Sequence, residues 1–181
     1  RPVLTNTLPA MTVYLIGFMG CGKSSTGRRV ARALGYAFAD TDRLVEEAAG
    51  KSIARIFAEE GEAAFRQLET EVLAAIAQDA DTVVATGGGL PCNERNLTLM
   101  RERGRIVYLS RSQERLVQIL LACRRDRRPR IAGLDEAGIR EYVAATLRER
   151  LRFYSQADLT IACDGKSNRQ ITDRLIRFIR S

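Results

Sequence analysis

The eight residues Gly17-Phe18-Met19-Gly20-Cys21-Gly22-Lys23-Ser24 constrain this chain more than any others. They match G-x-x-x-x-G-K-[ST] and lie between a short apolar run, Thr12 to Ile16, and a helix-like stretch, Lys23 to Leu34, that closes at Gly35. Strand, glycine-rich loop and helix in that order make an anion nest. Glycine lets successive backbone N–H groups converge, and the helix N-terminus adds about half a positive charge. Lys23 can then reach β- and γ-phosphates, and the Ser24 hydroxyl can serve Mg²⁺. The motif implies a bound nucleoside triphosphate, with Gly20, Cys21, Gly22, Lys23, Ser24 and Ser25 around its phosphates.

The alternation continues along the chain. Tyr36 to Ala39, Thr82 to Thr86, Ile106 to Leu109 and Leu159 to Ala162 read as further short strands. Between them, helices are expected over Asp42 to Ala49, Ser52 to Glu60, Glu62 to Ala77, Asn93 to Arg103, Gln113 to Ala122, Glu136 to Ser155 and Asn168 to Ile179. In the third of these, Phe65, Leu68, Val72, Leu73 and Ile76 form the apolar face. In the long helix, Ile139, Tyr142, Val143, Leu147 and Leu151 are expected to point inward. Strands alternating with helices imply an α/β fold with a parallel sheet covered on both faces. With 181 residues, no internal repeat and no linker, one domain over 11–181 is expected, able to bury roughly 70% of the surface of its unfolded chain. Residues 1–10 lack periodicity and are set aside as a leader or remnant.

Composition narrows the chemistry. There is no histidine, so no Ser-His-Asp triad, no H-E-x-x-H site and no imidazole base can exist, and a proton acceptor must be a carboxylate or another group. The four cysteines, Cys21, Cys92, Cys123 and Cys163, form no C-x-x-C pair, which fits a reducing cytoplasm better than a zinc site or disulfide framework. No apolar run approaches membrane-spanning length. Twenty-nine Lys and Arg against 22 Asp and Glu give a net charge of +7, which favours an anionic partner without choosing among nucleic acid, membrane and a phosphorylated small molecule.

A metal-binding carboxylate must come from an unusual place, because the strand Val83-Val84-Ala85-Thr86 ends in three glycines rather than an aspartate. Asp40 and Asp42, at the end of the second strand, are the candidates, since strand C-termini line the ligand crevice of open α/β sheets. Helix capping by Asp42 is the alternative. Gly87, Gly88 and Gly89 suit either a tight turn or close approach of a ligand to the backbone. Arg66, flanked by Glu62 and Glu69, reads alone as a surface ion pair. Arg150, four residues before Tyr154, reads alone as a solvated arginine.

Together these pieces resemble the shikimate kinase family over nearly all of the chain from Met11. The resemblance rests on G-F-M-G-C-G-K-S-S from Gly17, F-A-D-T-D from Phe38, S-I-A-R-I-F-A-E-E-G-E-A-A-F-R-Q-L-E from Ser52, and G-G-G from Gly87. Arg128-Pro129 and the R-x-x-x-Y of Arg150 and Tyr154 complete it. It implies a five-stranded parallel sheet in order 2-3-1-4-5, as in nucleoside monophosphate kinases, with a mobile lid near 123–133. It also implies transfer of the ATP γ-phosphoryl group to the 3-hydroxyl of shikimate, in chorismate and aromatic amino-acid synthesis.

By the same resemblance, Lys23 holds the phosphates and Ser24 ligates Mg²⁺ with Asp40 assisting through water. Asp42 binds ring hydroxyls and accepts the proton. Arg66 and Arg150 clamp the substrate carboxylate beside Gly87, Gly88 and Gly89, and Arg128 descends with the lid. Guanidinium forks match a carboxylate bidentately, and phosphoryl transfer needs positioning and charge neutralisation more than a strong base. Glu69 is then expected to orient Arg66. The chain departs from the family at Arg128-Pro129-Arg130-Ile131, where R-P-L-L is usual, which puts the packing of the closed lid in question. Which of Arg124, Arg125 and Arg127 stacks on adenine is open, and Lys166, with Arg169 nearby, falls closest to a C-terminal arginine of the family.

A monomer binding neither nucleic acid nor membrane is expected. The competing readings are a kinase of the same fold acting on gluconate or a nucleoside monophosphate, and an ATP-dependent regulatory or nucleic-acid-binding module. The second has little support from a chain with 6% aromatic residues and no nucleic-acid motif.

Overall fold

The computed structural model describes residues 8–123 and 128–181. Its chain order is β1 (Thr12–Ile16), α1 (Lys23–Leu34), β2 (Ala37–Asp40), α2 (Thr41–Ala49), α3 (Ile53–Glu59), α4 (Glu62–Ala75), β3 (Thr82–Ala85), α5 (Glu94–Arg103), β4 (Gly104–Ser110), α6 (Gln113–Ala122), α7 (Glu136–Tyr154), β5 (Leu159–Ala162) and α8 (Asn168–Arg180). The five strands form one sheet in the order β2-β3-β1-β4-β5, and every neighbouring pair is parallel. This is the expected α/β architecture with the expected strand order. Most of residues 1–10, and Arg124, Arg125 and Arg127 of the lid stretch, lie outside the described residues.

The central strand shows why the sheet is covered twice. All five residues of β1 are buried, and their side chains alternate between two cores. Val13 and Leu15 pack with Val30 of α1, Leu116 and Leu120 of α6, and Leu175 and Ile179 of α8. Tyr14 and Ile16 pack with Leu73 of α4 and with Leu97 and Met100 of α5. A third cluster, Val45, Ile56, Phe65 and Val72, ties α2, α3 and α4 together beside the sheet.

Helix α7 joins the two faces. Ile139 and Val143 belong to the first core, whereas Phe153 and Tyr154 belong to the second. Its buried stripe passes through Arg150, which is 7% exposed, and leaves Leu151 44% exposed. The expectation that Leu151 points inward is therefore corrected. The inward line runs Ile139, Val143, Arg150, Tyr154 in steps of four, seven and four, and Leu151 falls one residue off it. A buried arginine on an apolar stripe is costly unless its charge is used.

Candidate functional site

The C-terminal ends of β1, β2 and β3 open into a cavity of about 1010 Å³. Into it face Gly20, Gly22, Lys23, Ser24 and Ser25 on one side, and Asp40, Asp42, Arg66, Glu69, the three glycines and Arg150 on the other; Arg128 and Arg130 close the rim. Elements and loops distant in sequence thus converge where open α/β sheets place ligands.

The phosphate loop is a conformational device. Gly17, Gly20 and Gly22 take φ of 150°, 78° and 97°, a region side chains avoid. Gly22 caps α1 with no side-chain hydrogen bond, so the first N–H groups of that helix remain directed at the cavity. Lys23 is 8% exposed and donates to the carbonyls of Gly17 at 2.6 Å and Phe18 at 2.9 Å. Its ammonium is held at the lip of the nest by the loop's own backbone.

Ser24 donates its hydroxyl to Asp40 Oδ2 at 2.6 Å. Asp40 Oδ1 accepts the backbone N–H groups of Asp42 and Arg43 at 3.0 and 3.4 Å, making Asp40 the N-cap of α2. The capping alternative for Asp42 falls with this, because the helix starts at Thr41, one turn position earlier than expected. The Asp42 carboxyl is free to face the cavity, and burial, then the neighbouring Asp40, pushes its pKa up while Lys23 pulls it down. Oxygen donors from Ser24 and Asp40 suit Mg²⁺, which binds through one or two carboxylates and completes its shell from phosphates and water. Among the described residues no cluster of three acidic or sulfur ligands forms an all-protein cage.

The three-glycine turn works by space. None of Gly87, Gly88 and Gly89 has a positive φ, so turn conformation alone does not require glycine there. A Cβ on Gly87 would lie 2.6 Å from Asp42 Oδ1 and 2.8 Å from Glu69 Oε2. On Gly88 it would lie 3.0 Å from Arg150 Nη1, and on Gly89 2.6 Å from both terminal nitrogens of Arg66. Gly87 clears room for two charged groups and Gly88 and Gly89 for one each, a use of glycine distinct from both the tight turn and the close approach of a ligand. The turn is itself pinned: Gly87 N–H donates to Thr41 Oγ1 at 2.9 Å, and Tyr154 donates to the Gly88 carbonyl at 2.6 Å.

Arg66 is no surface ion pair. Its Nη1 lies 2.5 Å from Glu69 Oε1, and Glu69 is 1% exposed. Burial pushes the Glu69 carboxyl up to about 7, against the pull of Arg66, and its Oε2 has no hydrogen-bond partner. Arg150 reaches the Tyr154 oxygen at 3.5 Å and lies 5.5 Å from the Phe18 ring, so phosphate loop and acceptor side touch through it.

Two expected contacts stand apart. The Cys21 side chain is 2% exposed, packs in the first core and does not line the cavity; its sulfur lies 3.7 Å from Lys23 Nζ, inside the loop. Lys166 does not line the cavity and donates to the Ala162 carbonyl; Arg169 lies 3.8 Å from Asp173 on its own helix. Sequence reading missed Thr41, the buried hydroxyl that holds Gly87, and Arg111, whose Nε donates to the Cys21 carbonyl at 3.4 Å. Thr41 sits inside the F-A-D-T-D stretch and was legible only as a helix start. Nothing in the spacing marks Arg111.

Comparison with known proteins bears on the family and the fold. The family model described as shikimate kinase matches residues 19–180. A shikimate kinase of Synechococcus sp. (strain CC9605) is 40% identical over 99% of this chain and 88% of its own length. One from Chlorobaculum tepidum is 41% identical over 93% of this chain and 92% of its own. Among solved structures, shikimate kinase from Bacteroides thetaiotaomicron superposes with a TM-score of 0.87 at 30% identity, covering 94% of this chain and 99% of that one. Shikimate kinase from Acinetobacter baumannii in complex with shikimate gives 0.86 at 32% identity, covering 96% and 94%. The chain belongs to the shikimate kinase family.

Proposed function

We propose that this chain transfers the γ-phosphoryl group of ATP to the 3-hydroxyl of shikimate, giving shikimate 3-phosphate and ADP. The observation that carries the reading is the three-glycine turn, which seats two guanidiniums and two carboxylates opposite a phosphate-binding loop in one cavity. A small acceptor bearing a carboxylate and hydroxyls uses three of them directly, while Glu69 holds Arg66. Its carboxylate takes the Arg66 and Arg150 forks, and its hydroxyls take the acceptor-only Asp42.

The loop amides and Lys23 hold the β- and γ-phosphates in line with the acceptor. Ser24, and Asp40 through water, would hold Mg²⁺, which when bound would supply positive charge to the phosphate oxygens. The 3-hydroxyl oxygen bonds to the γ-phosphorus as the bridging bond to the β-phosphate oxygen breaks, and the hydroxyl proton passes to Asp42. Burial raises its pKa above the ordinary carboxylate value, which makes it a stronger base. Arg128, at the rim, supplies positive charge to the transferring group and helps exclude water.

The test offers shikimate, gluconate and a nucleoside monophosphate side by side with ATP and Mg²⁺. Turnover with shikimate alone is expected. Turnover with another acceptor would keep the phosphate loop and discard the roles of Arg66 and Arg150. ATP binding without turnover of any acceptor would favour a regulatory module.

A further inference from the structure

Arg130 stands where the resembling family carries an apolar residue, and the structure gives its charge a partner. Its guanidinium pairs with Glu62 Oε1 in the first turn of α4, 68 residues away in sequence, and stacks 5.7 Å from the Phe57 ring of α3. The same Glu62 oxygen lies 3.5 Å from Arg66 Nη2. Phe57 and Phe65 pack at 4.9 Å behind the row, and Arg66 lies 5.3 Å from Phe65. Arg130, Glu62, Arg66 and Glu69 therefore form a continuous line of alternating charge from the rim to the floor of the cavity.

The segment that carries Arg130 is tied down on its other side. Ile131 is fully buried in the first core, and its N–H and that of Ala132 donate to the Arg128 carbonyl at 3.1 and 3.0 Å. Arg130 faces the cavity while the next residue fills the core, so the extra charge leaves the apolar packing intact.

We propose that Arg130 is a positioning residue that latches residues 128–134 onto α4. Through the Glu62 carboxylate shared with Arg66, the latch makes docking of that segment and binding of the acceptor carboxylate depend on each other. The inference rests on reading Arg66 as an acceptor clamp. A single exposed ion pair has little effect, but one carboxylate divided between two guanidiniums couples them: a carboxylate ligand on Arg66 releases Glu62 to Arg130 and tightens the latch.

The test compares the full chain with Arg130→Leu, Glu62→Gln and the double variant. Both side chains are partly exposed, at 31% and 54%, so the variants fold. Arg130→Leu is expected to raise the KM for shikimate about threefold to fivefold and leave the KM for ATP unchanged, as loss of one partly exposed pair predicts. In the Glu62→Gln background the same change should add nothing. An unchanged shikimate KM, or the full increase persisting in that background, overturns the proposal. Hydrogen exchange reads the latch without any acceptor: the amides of Ile131, Ala132 and Leu134 should exchange faster in both single variants, and unchanged exchange overturns it. A wild-type chain that fails to turn over shikimate would remove the acceptor reading and leave exchange to decide the latch.

Discussion

Both ends of the cavity are lined with glycine, and they use it for opposite reasons. At the phosphate end, Gly17, Gly20 and Gly22 adopt positive φ, and the backbone itself is the binding group. At the acceptor end, Gly87, Gly88 and Gly89 have ordinary backbone angles, and what they supply is absence: room for Asp42, Glu69, Arg150 and Arg66. One end is written in eight consecutive residues. The other is assembled from α2, α4, the turn after β3, and α7. A binding site made of backbone needs a conformation, whereas one made of long charged side chains needs space and a second set of residues to hold them.

The largest effect is expected where the two ends meet. Asp42→Asn should lower kcat by about 10²- to 10⁴-fold, the usual contribution of a positioned proton acceptor, while both substrates still bind. Because burial already disfavours the Asp42 carboxylate, the variant should unfold at no lower temperature than the parent. Steady-state kinetics and a thermal melt check this, and near-wild-type turnover would remove Asp42 as proton acceptor. Arg66→Ala comes next. It should raise the KM for shikimate by about 10- to 100-fold, the worth of charge-assisted hydrogen bonds, with the KM for ATP nearly unchanged. Equal loss of both would mean the two ends are not separable.

A single methyl sharpens the contrast. Gly89→Ala places a Cβ against both Arg66 nitrogens at 2.6 Å, so it should raise the KM for shikimate about tenfold and spare ATP. Gly20→Ala forces a side chain into φ 78° and within 2.8 Å of Ile119 Cγ2, so it should do the reverse. If both substitutions weakened the same substrate, the division of labour between the glycine sets would fail.

The same contrast explains what the sequence made legible. Strand and helix order followed from alternation, and the phosphate loop from a contiguous motif whose chemistry is local. Arg66, Glu69 and Arg150 could be read only as surface charges until the resemblance joined them, because their meaning lies in contacts with the glycine turn 18 to 62 residues away in sequence. The Arg150 position carried a physical clue. It occupies an inward step of the α7 stripe that Leu151 was expected to share, and periodicity alone gave preference to the apolar residue. Arg130 was visible as an odd charge, but Glu62, its partner, is fixed only by the way residues 128–134 turn back over α4.

The last effect is on stability, not turnover; it depends on pH and belongs to the acceptor end. Burial raises the Glu69 carboxyl from its ordinary 4.5 to about 7. A carboxyl whose folded pKa is raised binds its proton more tightly in the folded chain. Its contribution to stability is therefore full below pH 4.5 and is lost as pH climbs to about 7. Glu69→Gln carries no such proton, so urea unfolding should show the variant gaining on the parent across that window by about 3 kcal/mol, since the value near 7 already includes the counter-pull of Arg66. Asp42, shifted in the same direction, leaves a residual slope in both chains. A stability difference that stays constant with pH would mean that the 2.5 Å contact with Arg66 keeps Glu69 ionised, and that the arginine at this end is held by a full charge rather than by a shared proton.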